Sequence, residues 1–152
     1  MAEPGAGEIW FYHLERSRAD EVLPELLERT LARGWRALVR HGDAKELAKL
    51  DARLWAYRDD SFLAHGLESE RFAEDQPILL SSGEAASNGA QALFVLDASD
   101  GPVDGYERCV VLFEAADEGA MQRARELWRR YKAQGRAVTY WRQAERGWTK
   151  VA

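Results

Sequence analysis

Three short runs in the second half of the chain constrain the fold more than anything else: Pro77-Ile78-Leu79-Leu80, Ala92-Leu93-Phe94-Val95-Leu96 and Cys109-Val110-Val111-Leu112-Phe113. Each is apolar at every position rather than at every second one. A strand with one face in water alternates polar and apolar residues, so these runs predict strands covered on both faces, as in a parallel sheet. Covering both faces requires helices on both sides. The rest of the chain supplies them.

Ile9-Trp10-Phe11-Tyr12 reads as a first buried strand. From about Ser17 to Arg33, Val22, Leu23, Leu26, Leu27, Thr30 and Leu31 recur at helical spacing. Pro24 is expected within the first turns, where its missing N–H costs least, and Gly34 as the stop. Arg36-Ala37-Leu38-Val39 reads as a second strand. Asp43 then looks like an N-cap with Glu46 completing a capping box, ahead of a helix carrying Leu47, Leu50, Leu54 and Trp55 on one face. The stretch 57–76 is irregular and polar. A last helix is expected between Asp117 as cap and Gly135 as stop, followed by a strand over Ala137–Trp141. Strands alternating with helices predict a three-layer α/β/α sandwich with a mainly parallel sheet. A length of 152 residues suits one such domain, here 8–152, with the polar, Gly- and Pro-containing residues 1–7 as a disordered leader.

A sheet of this class raises the question of a nucleotide. There is no Walker pattern and no Gly-rich turn joining the first strand to its helix, so the sandwich is Rossmann-like without a phosphate-binding loop. The turn Ser81-Ser82-Gly83 follows a strand, but a solvated turn explains it better. His13, His41 and His65 match no metal spacing, and Cys109 inside a strand reads as a small core hydrophobe. Asp59-Asp60 and Glu74-Asp75 read as solvated loop charges. No catalytic residue, cofactor or metal is therefore expected. The single cysteine fits a reducing cytoplasm, and no run approaches the roughly 18 apolar residues of a membrane helix.

Charge is more informative. Residues 121–136 carry Arg123, Arg125, Arg129, Arg130, Lys132 and Arg136 against Glu126 alone, a net +5 in a chain whose total is −5, which leaves −10 elsewhere. So acidic a remainder repels nucleic acid, and a local anion site is the better reading. A wheel at about 100° per residue places Ala120, Ala124, Leu127 and Tyr131 on a core stripe. Beside it fall Trp128, Met121, Lys132, Arg125 and Arg129, with Arg123 and Arg130 pointing elsewhere. An aromatic edge bordered by cations offers an apolar slot for a side chain and guanidinium groups for a carboxylate. The competing explanation is a core Trp beside a solvated basic face.

Four stretches, "FYHL", "GWRALV", "LDARLWAYRDDSFLAH" and "RELWRRYKAQG", make the chain resemble the chi subunit family of DNA polymerase III over nearly its whole length. The spacing from Leu54-Trp55 to Ser61-Phe62 and His65 is the most specific part, although Ala64 stands where the family often has Pro. The resemblance implies a non-catalytic replisome accessory protein. It would bind the acidic, Phe-terminated C-terminal tail of single-stranded DNA-binding protein, SSB, and belong to the clamp-loader assembly. Tail-binding positions carry over to Arg125, Trp128 and Arg129, with Lys132 added from helix geometry. Trp55 and Phe62 match an aromatic pair that faces a second partner, the small psi subunit; internal packing of that segment is an equal alternative. Psi does not accompany every chi-like protein, so contact with the clamp loader by another route stays open. The alternative from a different class is a relic nucleotide-binding enzyme.

Overall fold

The computed structural model describes residues 6–57, 63–82 and 88–152. In chain order these form β1 (Ala6–Leu14), α1 (Ala19–Ala32), β2 (Ala37–Arg40), α2 (Ala44–Trp55), β3 (His65–Leu67), β4 (Ile78–Ser81), β5 (Ala92–Leu96), β6 (Tyr106–Glu114), α3 (Glu118–Ala133), β7 (Val138–Gln143) and β8 (Trp148–Lys150). They build one eight-stranded sheet in the order β3-β4-β2-β5-β6-β1-β7-β8. All pairings are parallel except that of β8 with β7. The predicted α/β sandwich is the one that forms, with an antiparallel edge added.

The layers follow from the connections. The path from β1 through α1 to β2 crosses β6 and β5, whereas the path from β6 through α3 to β7 crosses β1 in the opposite direction. Two right-handed crossovers running opposite ways put their helices on opposite faces. Accordingly, Leu23, Leu27, Leu47, Leu50 and Leu54 of α1 and α2 pack with Val39, Leu80 and Phe94 in one core. Ala120, Ala124, Leu127 and Tyr131 of α3 pack with Phe11, Val111 and Phe113 in the other. β4, β5 and the central part of β6 are buried along their length, which is why they read as unbroken apolar runs.

Local details depart from the sequence reading in four places. β1 begins at Ala6, so Ala6 and Gly7 of the expected leader belong to the strand; a Cβ on Gly7 would strike the carbonyl oxygens of Tyr106 and Glu107, and glycine permits that approach. Pro24 is the sixth residue of α1, past its first turn, and its ring is buried. Asp43 caps α2 by accepting from Lys45 N–H at 2.9 Å, but no capping box closes: Glu46 pairs with Lys49, and Asp43 N–H donates to His41 Nδ1. Finally, the irregular stretch contains β3, which His65 ties to α2 through contacts with the Asp51 carbonyl and carboxylate at 3.2 and 3.0 Å. Among the described residues, no helix is long and apolar enough to cross a membrane.

Candidate functional site

In sheets of this class ligands bind beyond the carboxyl ends of the strands, where neighbouring connections leave for opposite faces. Here that point lies between β1 and β6. The first turn after β1 does present converging donors: the N–H groups of Glu15, Arg16 and Ser17 all point at one atom, 3.2, 2.8 and 3.0 Å away. That atom is Oε1 of Gln143, from the end of β7. The N-terminus of α1 is occupied as well, with Ala19 N–H donating to Glu114 Oε2 at 3.1 Å. A cavity of about 440 Å³ beside these groups is lined by Asp20, Asp43, Glu46, Asp97, Glu114 and Asp117, with Arg18 and Lys49. Burial raises the carboxyl of Asp97, while the Ala120 N–H holds that of Asp117 low. A place that holds phosphate in other folds is here filled by an amide oxygen and ringed by acids.

The basic helix offers the opposite chemistry. Asp117 caps α3 by accepting from Ala120 N–H at 3.1 Å. The expected stripe of Ala120, Ala124, Leu127 and Tyr131 is buried, and the two alanines let the helix sit close to the sheet. Trp128 borders that stripe and is half-buried. Its ring meets Phe11 and Tyr140 edge-to-face, at centroid distances of 5.4 and 5.7 Å, which fixes it from two sides.

The six cations divide into two sets. Arg123 reaches Asp97 at 2.8 Å, Arg130 takes both carboxylate oxygens of Asp100 at 2.9 Å, and Arg136 takes Asp104 at 2.7 Å. All three acids belong to the connection between β5 and β6, and the arginines opposite hold the carboxyls of Asp100 and Asp104 below the usual range. Arg125, Arg129 and Lys132 have no ion pair among the described residues, and all three are exposed. They stand on the side of the helix that carries Trp128, with the Lys132 ammonium 5.6 Å from the Trp128 ring centroid.

Arg125, Trp128 and Arg129 line one open cavity of about 240 Å³, and Lys132 stands outside it. The opposite wall comes from residues that the sequence reading did not single out: Tyr140 and Arg142 on β7, with Val151 and Ala152. Val151 and Ala152 are held there by the backbone of Tyr140, through Val151 N–H to Tyr140 O at 2.7 Å and Tyr140 N–H to Ala152 O at 3.0 Å. The available signal was the spacing of Tyr140 and Arg142, which puts both on one face of a strand. Behind the wall, the Tyr140 hydroxyl lies 2.7 Å from Nδ1 of buried His13. Burial raises the Tyr140 phenol, and Arg142 and Arg125 draw it partly back.

The second proposed surface is less complete. Trp55 ends α2 but leaves the apolar face on which its spacing placed it: 57% of it is exposed, and its ring tilts against His65 at 4.3 Å. Phe62 lies outside the described residues, as does Gly83 of the turn after β4. Among the described residues, no group of His, Cys, Asp and Glu could hold a metal ion. Burial pushes the Cys109 thiol up to about 12, so it is not a nucleophile at neutral pH.

The family model described as DNA polymerase III chi subunit, HolC, matches residues 7–139. A protein named DNA polymerase III subunit chi, from Pseudomonas aeruginosa, is 30% identical over 117 residues, which cover 76% of this chain and 80% of that protein. The match spans both helix faces and ends inside β7, and on this ground the chain belongs to the DNA polymerase III chi subunit family, accessory subunits of the replisome.

Proposed function

We propose that this chain is a peptide receptor that binds the acidic, Phe-terminated C-terminal tail of SSB between α3 and β7, and so links SSB to the clamp-loader assembly. The observation that carries the reading is the sorting of the α3 cations. Three arginines are engaged by Asp97, Asp100 and Asp104, whereas Arg125, Arg129 and Lys132 stand beside a half-exposed Trp with no ion pair among the described residues. A solvated basic face accounts for unpaired cations but not for an aromatic ring and an open cavity set among them. The cavity, about 240 Å³, falls below the roughly 300–1,000 Å³ of pockets for drug-sized ligands and suits one aromatic side chain with its carboxylate. Exposed Trp55 supports a second contact with a partner such as psi. The enzyme alternative finds less support, because Gln143 and Glu114 take up the donors a phosphate would need.

The test is a titration of an Asp-rich peptide ending in Phe against Arg125→Ala and Trp128→Ala. Loss of a charge-assisted hydrogen bond costs about 1.5–3 kcal/mol, so Arg125→Ala should bind roughly 10- to 150-fold more weakly at unchanged melting temperature. Trp128→Ala should also lose binding. Truncating a core Trp costs about 3–5 kcal/mol, and partial exposure places this one toward the lower end. Melts by circular dichroism separate its two effects. Wild-type affinity in both variants would show that this helix is not the docking site.

A further inference from the structure

Arg142 differs from the other cations of the cavity, because it already has a carboxylate. Its Nε lies 3.4 Å from Oε1 of Glu15, and the two side chains are 51% and 42% exposed. Glu15 is the first residue after β1 and does not reach Arg142 by chance of a wandering loop. Its own N–H, together with those of the next two residues, is held by Gln143, the neighbour of Arg142 on β7. The turn therefore pins a carboxylate at the rim of a cavity whose other cations, Arg125 and Arg129, lack one among the described residues.

We propose that Glu15 is a built-in competitor for the peptide: it holds Arg142 in the free protein, and an incoming carboxylate takes the guanidinium from it. The inference rests on the peptide-binding reading above and adds Arg142 as a specificity residue on the wall opposite α3. The exchange is easy in physical terms. An exposed ion pair is weak, and after release the Glu15 carboxylate keeps contact with water. Buried His13 Nε2, which has no hydrogen bond among the described residues, lies 3.5 Å from the same Glu15 oxygen and offers it a place to turn. The gain is that a peptide is gripped from both walls, by Arg125 and Arg129 on one side and Arg142 on the other. A neutral ligand cannot recover the pair it breaks, so the competitor sharpens selection for anionic peptides.

The experiment titrates the labelled Asp-rich, Phe-terminated peptide at constant ionic strength against wild type, Glu15→Gln, Arg142→Ala, the double variant and Arg125→Ala. Glu15→Gln should bind about two- to five-fold more tightly, a gain that misfolding cannot produce. Arg142→Ala should bind several-fold more weakly, with Arg142→Lys recovering part of the loss. The two changes must also be non-additive: with Arg142 gone, Glu15→Gln should no longer tighten binding. Equal tightening in both backgrounds would mean that Glu15 merely repels the peptide, and the exchange would be wrong. Unchanged affinity in Glu15→Gln and Arg142→Ala, with Arg125→Ala still weakened, would overturn this inference and leave the docking site standing. Failure of wild type to bind the peptide would sink both.

Discussion

His13 stands behind Tyr140, one of the residues lining the cavity between α3 and β7, and packs on the rings of the α3-side core. It is 5% exposed, stacked at a tilt on Phe113 at 5.3 Å, and its Nδ1 faces the Tyr140 hydroxyl. Burial lowers its pKa below 6.5; Glu15 opposes that shift, while Arg142 and Arg125 add to it. The folded protein thus holds this ring neutral where the unfolded chain would take up a proton. Stability from His13 is complete above pH 6.5 and is lost as pH falls from there toward the lower folded value. The paired carboxylates Asp100 and Asp104 have lowered pKa values, so their contribution is lost only at more acid pH. Between pH 7.5 and 5.5, therefore, the melting temperature of wild type should fall more than that of His13→Gln. Parallel curves for the two proteins would show that His13 is not the group responsible.

At the scale of elements, α3 is the part of the chain where sequence and structure agree most closely, and the reason is physical. A helix buries one stripe against the sheet, so its phase can be read from residues on α3 alone: Ala120, Ala124, Leu127 and Tyr131 had to face inward, and Arg125 and Trp128 then had their places fixed. β4, β5 and β6 were legible for a similar reason, burial on both faces. β3 and β8, three residues each, carry too little pattern to show, and exist because a longer neighbour offers a free edge. Half of the candidate site was hidden in the same way. Arg142 and Tyr140 meet Arg125 only through the register of β7 beside β1, which the local sequence does not encode. Nor did the wheel show that Arg123 would be engaged. Its guanidinium ties α3 to Asp97, a residue held at φ 60°, through both a carboxylate and a carbonyl contact. Arg123→Ala should consequently cost about 0.5–1 kcal/mol, or roughly 1–4 °C in melting temperature, while the peptide binds normally. Arg125→Ala should do the reverse. Equal melting temperatures for the two variants would deny Arg123 its structural role.

For the whole molecule, the decisive quantity is where unpaired positive charge remains. The segment 121–136 carries +5 against −10 elsewhere, but three of its arginines are neutralised by Asp97, Asp100 and Asp104. What remains of the α3 cations without an ion pair among the described residues is therefore a patch of Arg125, Arg129 and Lys132, in a chain whose remainder nets −10. Affinity for bare nucleic acid rises with the number of phosphates contacted, and each contact adds about 0.7 to the logarithmic salt slope for a single strand. Three cations on one helix face can meet only a few phosphates, and the net −10 of the rest of the chain disfavours a longer contact with the strand. A short anionic peptide docked as proposed, with its end inside the cavity, would avoid that repulsion. The protein should accordingly bind a bare single-stranded oligonucleotide poorly near physiological salt, yet be retained on the same strand coated with SSB. Retention should weaken as salt rises and disappear in Arg125→Ala. Fluorescence anisotropy on the bare strand and co-sedimentation with the coated one measure the two arms. Micromolar affinity for the bare strand that survives charge reversal at Arg125 and Arg129 would contradict this, and would assign the replisome contact to DNA rather than to protein.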